Sequence, residues 1–155
     1  MKRQLIRFLL LALISSVFLI TAPTQAHGAN DVASEIERVL RAQQDAWNRH
    51  DLDAFMDGYW KSPELTFFSG AKESKGWQAT MDRYRATYQS AGKEMGNLEF
   101  SELRIQPLGS ESAFVRGVWQ LTMSDSKTPH GRFTLVFRKF PDGWKIVHDH
   151  TSSAE

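Results

Sequence analysis

An α+β domain, with helices packed on one face of a curved antiparallel sheet, is predicted by three observations. Helical spacing of apolar residues is confined to the first half of the chain, up to Tyr88. Segments rich in β-branched and aromatic residues fill the second half, from Leu98 to Thr151. No internal repeat, linker or low-complexity stretch divides the two, and 155 residues suit one domain.

Each element has a local reason. Ser34-Glu35-Ile36-Glu37 fits a capping box, in which Ser and Glu satisfy free helix N–H groups reciprocally. Ile36, Leu40, Gln43 and Trp47 then recur at helical spacing, so a helix is predicted over 34–48 behind a short tail at 27–33. Asp51 caps a second, short helix with Leu52, Phe55, Met56 and Tyr59 on one face. Pro63 ends that segment, Leu65 to Phe68 reads as a strand, and Ser69 to Gly76 as a polar turn. Trp77, Met81, Tyr84 and Tyr88 stripe a third helix that Gly92 stops. Four strands follow, over Leu98–Pro107, Ala113–Met123, Arg132–Phe140 and Trp144–Thr151, the last two joined at Pro141-Asp142-Gly143.

The first 26 residues read as an address. Lys2, Arg3 and Arg7 precede the 13-residue apolar run Phe8 to Ile20, and Thr24-Gln25-Ala26 supplies a small-residue cleavage site. The run is short of the roughly 20 apolar residues of a membrane span. A cleaved signal peptide over 1–26, export to the periplasm or outside the cell, and no stable membrane insertion afterwards are the expectation; the alternative is an uncleaved anchor. Losing three basic residues and no acid turns the formal charge from +1 to −2. That balance, with no basic stripe, argues against nucleic acid as a partner. The chain has no cysteine, which excludes disulfides, thiolate metal sites and a cysteine nucleophile. No phosphate-loop, dinucleotide or hydrolase-elbow pattern is present, and no cofactor is expected.

Three stretches carry a family resemblance: Trp47-Asn48-Arg49-His50-Asp51-Leu52-Asp53-Ala54-Phe55, Leu108-Gly109-Ser110-Glu111-Ser112-Ala113, and Asp142-Gly143-Trp144-Lys145-Ile146-Val147-His148-Asp149-His150. Together they resemble the nuclear transport factor 2-like superfamily. The nearest branches are the ketosteroid-isomerase-like and polyketide-cyclase (SnoaL)-like proteins and the association domain of calmodulin-dependent kinase. The likeness runs from about Ser34 to Ser152, so a single domain over 34–152 is expected. It implies a cone, a curved antiparallel sheet wrapped around a long helix with an apolar cavity between. Members include isomerases, dehydratases, cyclases and pure binding or assembly modules, so the fold alone does not choose a function.

Strand parity proposes which side chains face that cavity. A three-residue loop at Pro141-Asp142-Gly143 pairs Phe140 with Trp144, Phe137 with Val147, Leu135 with Asp149 and Phe133 with Thr151. Phe133, Leu135, Phe137, Val147, Asp149 and Thr151 then form the inner, helix-covered face. The kinase association domain places cavity arginines at positions that align with Trp119, Leu135 and Thr151, and this chain has none of them, so an arginine-lined anion pocket is not expected.

Asp149 stands among apolar neighbours on that face. Desolvation would raise its pKa and poise it as a general acid or base; at the cavity mouth it would instead be a solvated acid. Tyr84 and Tyr88, at i, i+4, either stabilise charge on a substrate oxygen, as the ketosteroid-isomerase resemblance implies, or pack as core. Trp47, Tyr59, Trp77 and Trp119, with Leu135 and Thr151, either wall a substrate pocket or fill it. His148 and His150 have the H-x-H spacing of metal ligands, but a site would need His130 or His50 from loops, and no metal is expected. Instead Trp144, His148, His150 and Arg138 are expected on the outer sheet face, which in the resembling family commonly forms a homodimer. The function expected is binding of a small apolar or aromatic molecule, with cofactor-free isomerase, dehydratase or cyclase chemistry on a carbonyl compound. The alternative is a non-catalytic ligand-binding or homo-oligomeric assembly module.

Overall fold

The computed structural model describes residues 25–154; the expected leader lies outside the described residues up to residue 24. Three helices, α1 (Gln25–Asn48), α2 (Leu52–Met56) and α3 (Trp77–Tyr88), combine with six strands. These are β1 (Thr66–Ser69), β2 (Lys72–Lys75), β3 (Asn97–Pro107), β4 (Ser112–Thr122), β5 (His130–Phe140) and β6 (Gly143–Thr151). They form one sheet in the order β2-β1-β6-β5-β4-β3, antiparallel throughout except that β1 runs parallel to β6. This is the α+β architecture predicted, with the long first helix packed against the sheet.

Ile36, Leu40, Gln43 and Trp47 are all buried, as their spacing requires. The helix begins earlier than the capping box implies. Residues 27–33, expected as a tail, are helical, because Val32 lies one turn before Ile36 and extends the buried stripe into the core. Ser34 is an exposed mid-helix residue. The buried Gln43 is satisfied: its Nε2 donates to the Phe55 carbonyl at 3.0 Å and ties α1 to α2. Asp51 caps α2 as predicted, accepting from the Ala54 amide at 3.0 Å.

Two corrections concern strands. The polar turn expected over Ser69–Gly76 contains β2, whose Lys72-Glu73-Ser74-Lys75 carries no strand-forming residue type. It is an edge strand, where charge is tolerated and guards the free backbone edge. The β5–β6 hairpin closes one residue tighter than predicted: Phe140 pairs with Gly143, which adopts φ 113. The register shifts between Val136 and Phe137, so Val147 is a bulge and Phe137 pairs with Ile146. The predicted pairs Leu135–Asp149 and Phe133–Thr151 stand, whereas Val147 leaves the inner face. Ile146 and Trp144, expected outside, point inward and are buried. Trp144 donates its indole N–H to Glu35, which also pairs with Lys139 at 3.1 Å, clipping α1 to the sheet.

Beyond β6 the chain keeps pairing with β5, Ser152 N–H donating to the Arg132 carbonyl and Ala154 N–H to that of His130, both at 2.9 Å. Gly131 makes this possible, because a Cβ there would land on the Ser152 carbonyl oxygen. That same oxygen accepts from the Trp119 indole at 3.0 Å. Gly131→Ala is expected to cost about 1–3 kcal/mol in chemical denaturation, as overpacking does. It should also raise hydrogen exchange at the Ser152 and Ala154 amides selectively.

Candidate functional site

Between the helices and the inner sheet face lies a cavity of about 160 Å³. Helix α1 contributes Leu40, Gln43 and Trp47, α2 contributes Phe55, and α3 contributes Arg83, Tyr84 and Tyr88. The sheet supplies Phe67, Trp119, Phe133, Leu135, Asp149 and Thr151, among others. The walls are largely aromatic. Trp47 meets Phe55 and Tyr88 edge to face at 5.1 and 4.8 Å, and Tyr84 stacks on Phe67 at 5.4 Å.

One carboxylate stands in this wall. Asp149 is 4% exposed, and its Oδ2 accepts a hydrogen bond from the Tyr59 hydroxyl at 2.7 Å. Its Oδ1 is buried with no hydrogen-bond partner among the described residues. Burial pushes the carboxyl up to about 7, and the Tyr59 bond pulls the other way without offsetting it. Tyr59 spends its single proton on Asp149, so in the 3.3 Å contact between the two hydroxyls Tyr84 is the donor. Burial first, then the Asp149 charge, raises both phenols. The string therefore runs Tyr84 to Tyr59 to Asp149. Backbone pairing sets it up: Tyr59 bridges to Ile146 beside the β6 bulge, so its ring enters the cavity close to Asp149.

The predicted site residues divide accordingly. Asp149, Tyr84 and Tyr59 are joined by hydrogen bonds; Tyr59, expected only as a wall residue, is the direct partner of the acid. Tyr88 lines the cavity, stacks on Tyr84 at 6.0 Å and has no hydrogen-bond partner among the described residues. Trp47, Trp119, Leu135 and Thr151 also line it. Trp77 does not. Its indole donates to the Met56 carbonyl at 3.1 Å, and the Lys61 ammonium lies over its ring. Arg83 lines the cavity although no strand position predicted an arginine there; helical spacing beside Tyr84 and Thr87 was the available signal. On the outer face, His148 Nδ1 lies 2.6 Å from Thr66 Oγ1, and Phe68 packs on both His148 and His150.

Fold and site together define a cone-like α+β domain with an aromatic cavity that holds a buried acid. The chain belongs to the SnoaL-like family of the nuclear transport factor 2-like superfamily, the SnoaL-like domain model matching residues 36–154. A similar crystal structure is that of a nuclear transport factor 2-like protein of unknown function from Shewanella oneidensis. It shares 38% identity, covers 78% of this chain and 98% of its own, and has a TM-score of 0.72. A nuclear transport factor 2-like superfamily protein from Salmonella enterica shares 22% identity over 81% of this chain and 93% of its own, with a TM-score of 0.65. A ketosteroid isomerase-like protein from Erwinia carotovora shares 19% over 81% and 98%, also with a TM-score of 0.65. These last two show the fold alone. No protein of curated function matches.

The raised carboxyl has a consequence for stability. In the fold Asp149 keeps its proton up to about pH 7, whereas an aspartate free in water loses it near 3.8. Between those values the native state binds the extra proton, so its contribution is full below about pH 4 and lost as pH rises through about 7. Asp149→Asn keeps the shape and cannot ionise. The variant's thermal midpoint relative to wild type is therefore expected to climb between about pH 5 and pH 8, by an amount equivalent to a few kcal/mol at most. A constant difference across that range would show that Asp149 ionises normally.

Proposed function

We propose that this domain binds a small, mostly apolar carbonyl compound in its aromatic cavity and moves a proton beside the carbonyl through Asp149. The observation that carries this reading is the buried carboxyl, held at one oxygen by Tyr59 and lifted to about 7, in the wall of a ring-sized cavity. An apolar cavity of about 150 Å³ accepts benzene, so about 160 Å³ suits one ring with a small substituent. As a carboxylate, Asp149 takes the proton from the carbon next to the carbonyl. The C–H electron pair becomes the enolate double bond, and charge gathers on the carbonyl oxygen. Tyr88, whose hydroxyl proton is uncommitted, and Tyr84, whose 3.3 Å bond is long, supply donors to that oxygen. Return of the proton to another carbon is an isomerisation; loss of a β-hydroxyl is a dehydration. No cofactor enters either sequence. The charged start, apolar run and small-residue end of residues 1–26 support a periplasmic or secreted location.

Cyclohexanone in deuterated buffer tests the chemistry, with exchange of its α-hydrogens followed by NMR. The second-order rate constant is expected to rise through about pH 7 as Asp149 loses its proton. Asp149→Asn should lower it by about 100-fold or more. Tyr59→Phe removes the bond that favours the ionised form, so the midpoint should move upward. Exchange by Asp149→Asn at the wild-type rate would remove the catalytic reading and leave ligand binding alone.

Self-association is supported by a separate observation. The outer sheet face carries Phe68, Phe114, Val118, Val136 and His148, each only partly buried, with Arg138 and His150 exposed beside them. Trp144, expected on that face, is not available to it. A homodimer through this face should sediment at twice the chain mass, and Val136→Lys should return it to the monomer.

A further inference from the structure

The cavity contains a second charged group that the proton-transfer reading does not use. Arg83 projects from α3 into the cavity lining and is partly buried. Its Nη1 makes two long hydrogen bonds to the β2 edge, to the Lys72 carbonyl at 3.3 Å and to Ser74 Oγ at 3.4 Å. The guanidinium carbon stands over the Phe67 ring, 5.1 Å from its centre. No ion pair engages it among the described residues, although Arg85 two positions on is matched by Asp53 at 3.0 Å. A guanidinium has five N–H donors in a planar fork that fits a carboxylate, and the two bonds here occupy one nitrogen.

Sheet register places this cation relative to the acid. Ser74, Phe67 and Asp149 are consecutive partners across β2, β1 and β6 and share the inner face. Two strand spacings, about 10 Å, therefore separate the Ser74 and Asp149 backbones. Arg83 is held at one end of that row, and the uncompensated Asp149 Oδ1 lies at the other. The exposed Thr87 and Ser153 also line the cavity, which puts polar groups at its rim.

We propose that the cavity's ligand is an oxo acid anion, a single ring or branched chain whose carboxylate is held by Arg83 while its carbonyl end reaches Asp149. This rests on the reading of the cavity as a ligand site and names the substrate class. A carboxylate set about one ring away from the carbonyl spans the interval between the two groups. It gives Arg83 the partner it lacks, and the apolar ring fills the aromatic middle.

Titration of the purified protein with 4-oxocyclohexanecarboxylate and with its methyl ester, followed by calorimetry, tests this. The anion should bind at least about ten-fold more tightly than the ester, as a charge-assisted fork contact provides. Arg83→Gln should reduce that preference to about one, and Arg83→Lys, which keeps charge without the fork, should leave part of it. Equal affinity of anion and ester in the wild type, or no binding of either, overturns the proposal, as does an undiminished preference in Arg83→Gln. Asp149→Asn separates the two readings: unchanged α-exchange in that variant removes proton transfer, whereas the charge preference stands or falls on Arg83.

Discussion

Tyr59 donates a 2.7 Å hydrogen bond to a carboxylate that is otherwise surrounded by aromatic and aliphatic side chains, and the geometry of the cavity follows from that contact. An ionised carboxylate without partners in such a place is costly, so the side chain either pairs or takes up a proton. Here it does both in part. One oxygen is paired, one is not, and the carboxyl settles at about 7. The contact also joins three elements that sequence separates widely: the segment after α2 that carries Tyr59, the last strand that carries Asp149, and α3 through Tyr84.

That arrangement depends in turn on the β6 bulge. With uniform alternation from the turn, Trp144 and Ile146 would share a face with His148 and His150, and the core would lose two buried apolar side chains. The extra residue at Val147 switches parity once. Trp144 and Ile146 then serve the core at one end of the strand, while Asp149 and Thr151 serve the cavity at the other. The inward turn of Trp144 also removes the largest aromatic from the outer face, leaving Phe68, Phe114, Val118 and Val136 as its apolar groups beside His148.

How much of this is legible in the sequence follows from the range of each signal. Helix positions and the four long strands rest on local periodicity, and they appear where Ile36, Leu40, Trp47 and the Leu98–Thr151 segments place them. Asp149 on the inner face is legible too, because Leu135 and Asp149 pair on the far side of the bulge, where two one-residue errors compensate: a turn one residue tighter and one extra residue in the strand. Trp144 is misplaced because it sits on the near side, where only the first of those changes acts. β2 is illegible because an edge strand needs backbone partners and not particular side chains. Tyr59 as the acid's partner is a tertiary fact, fixed by a backbone bridge to Ile146 that no spacing rule encodes. Arg83 is hidden for a simpler reason: it stands between Asp82 and Arg85, whose charges are exposed, and one arginine pointing inward reads like its neighbours.

The placement of charge separates this cavity from an ordinary core. Gln43, the other large polar side chain buried beside it, is satisfied by a backbone carbonyl and holds two helices together, which is a structural role complete in itself. Asp149 and Arg83 are not complete. The acid retains a free buried oxygen, and the cation has two long bonds for five donors. No ion pair joins them among the described residues, and the Ser74–Phe67–Asp149 row sets about two strand spacings between the backbones that hold them. Folding gains nothing from that separation, since a leucine at either position would bury apolar surface without desolvating a charge. A molecule that carries an anion at one end and a polarised carbonyl at the other satisfies both groups at once, and its apolar middle meets the rings of Phe67, Tyr84 and Trp47.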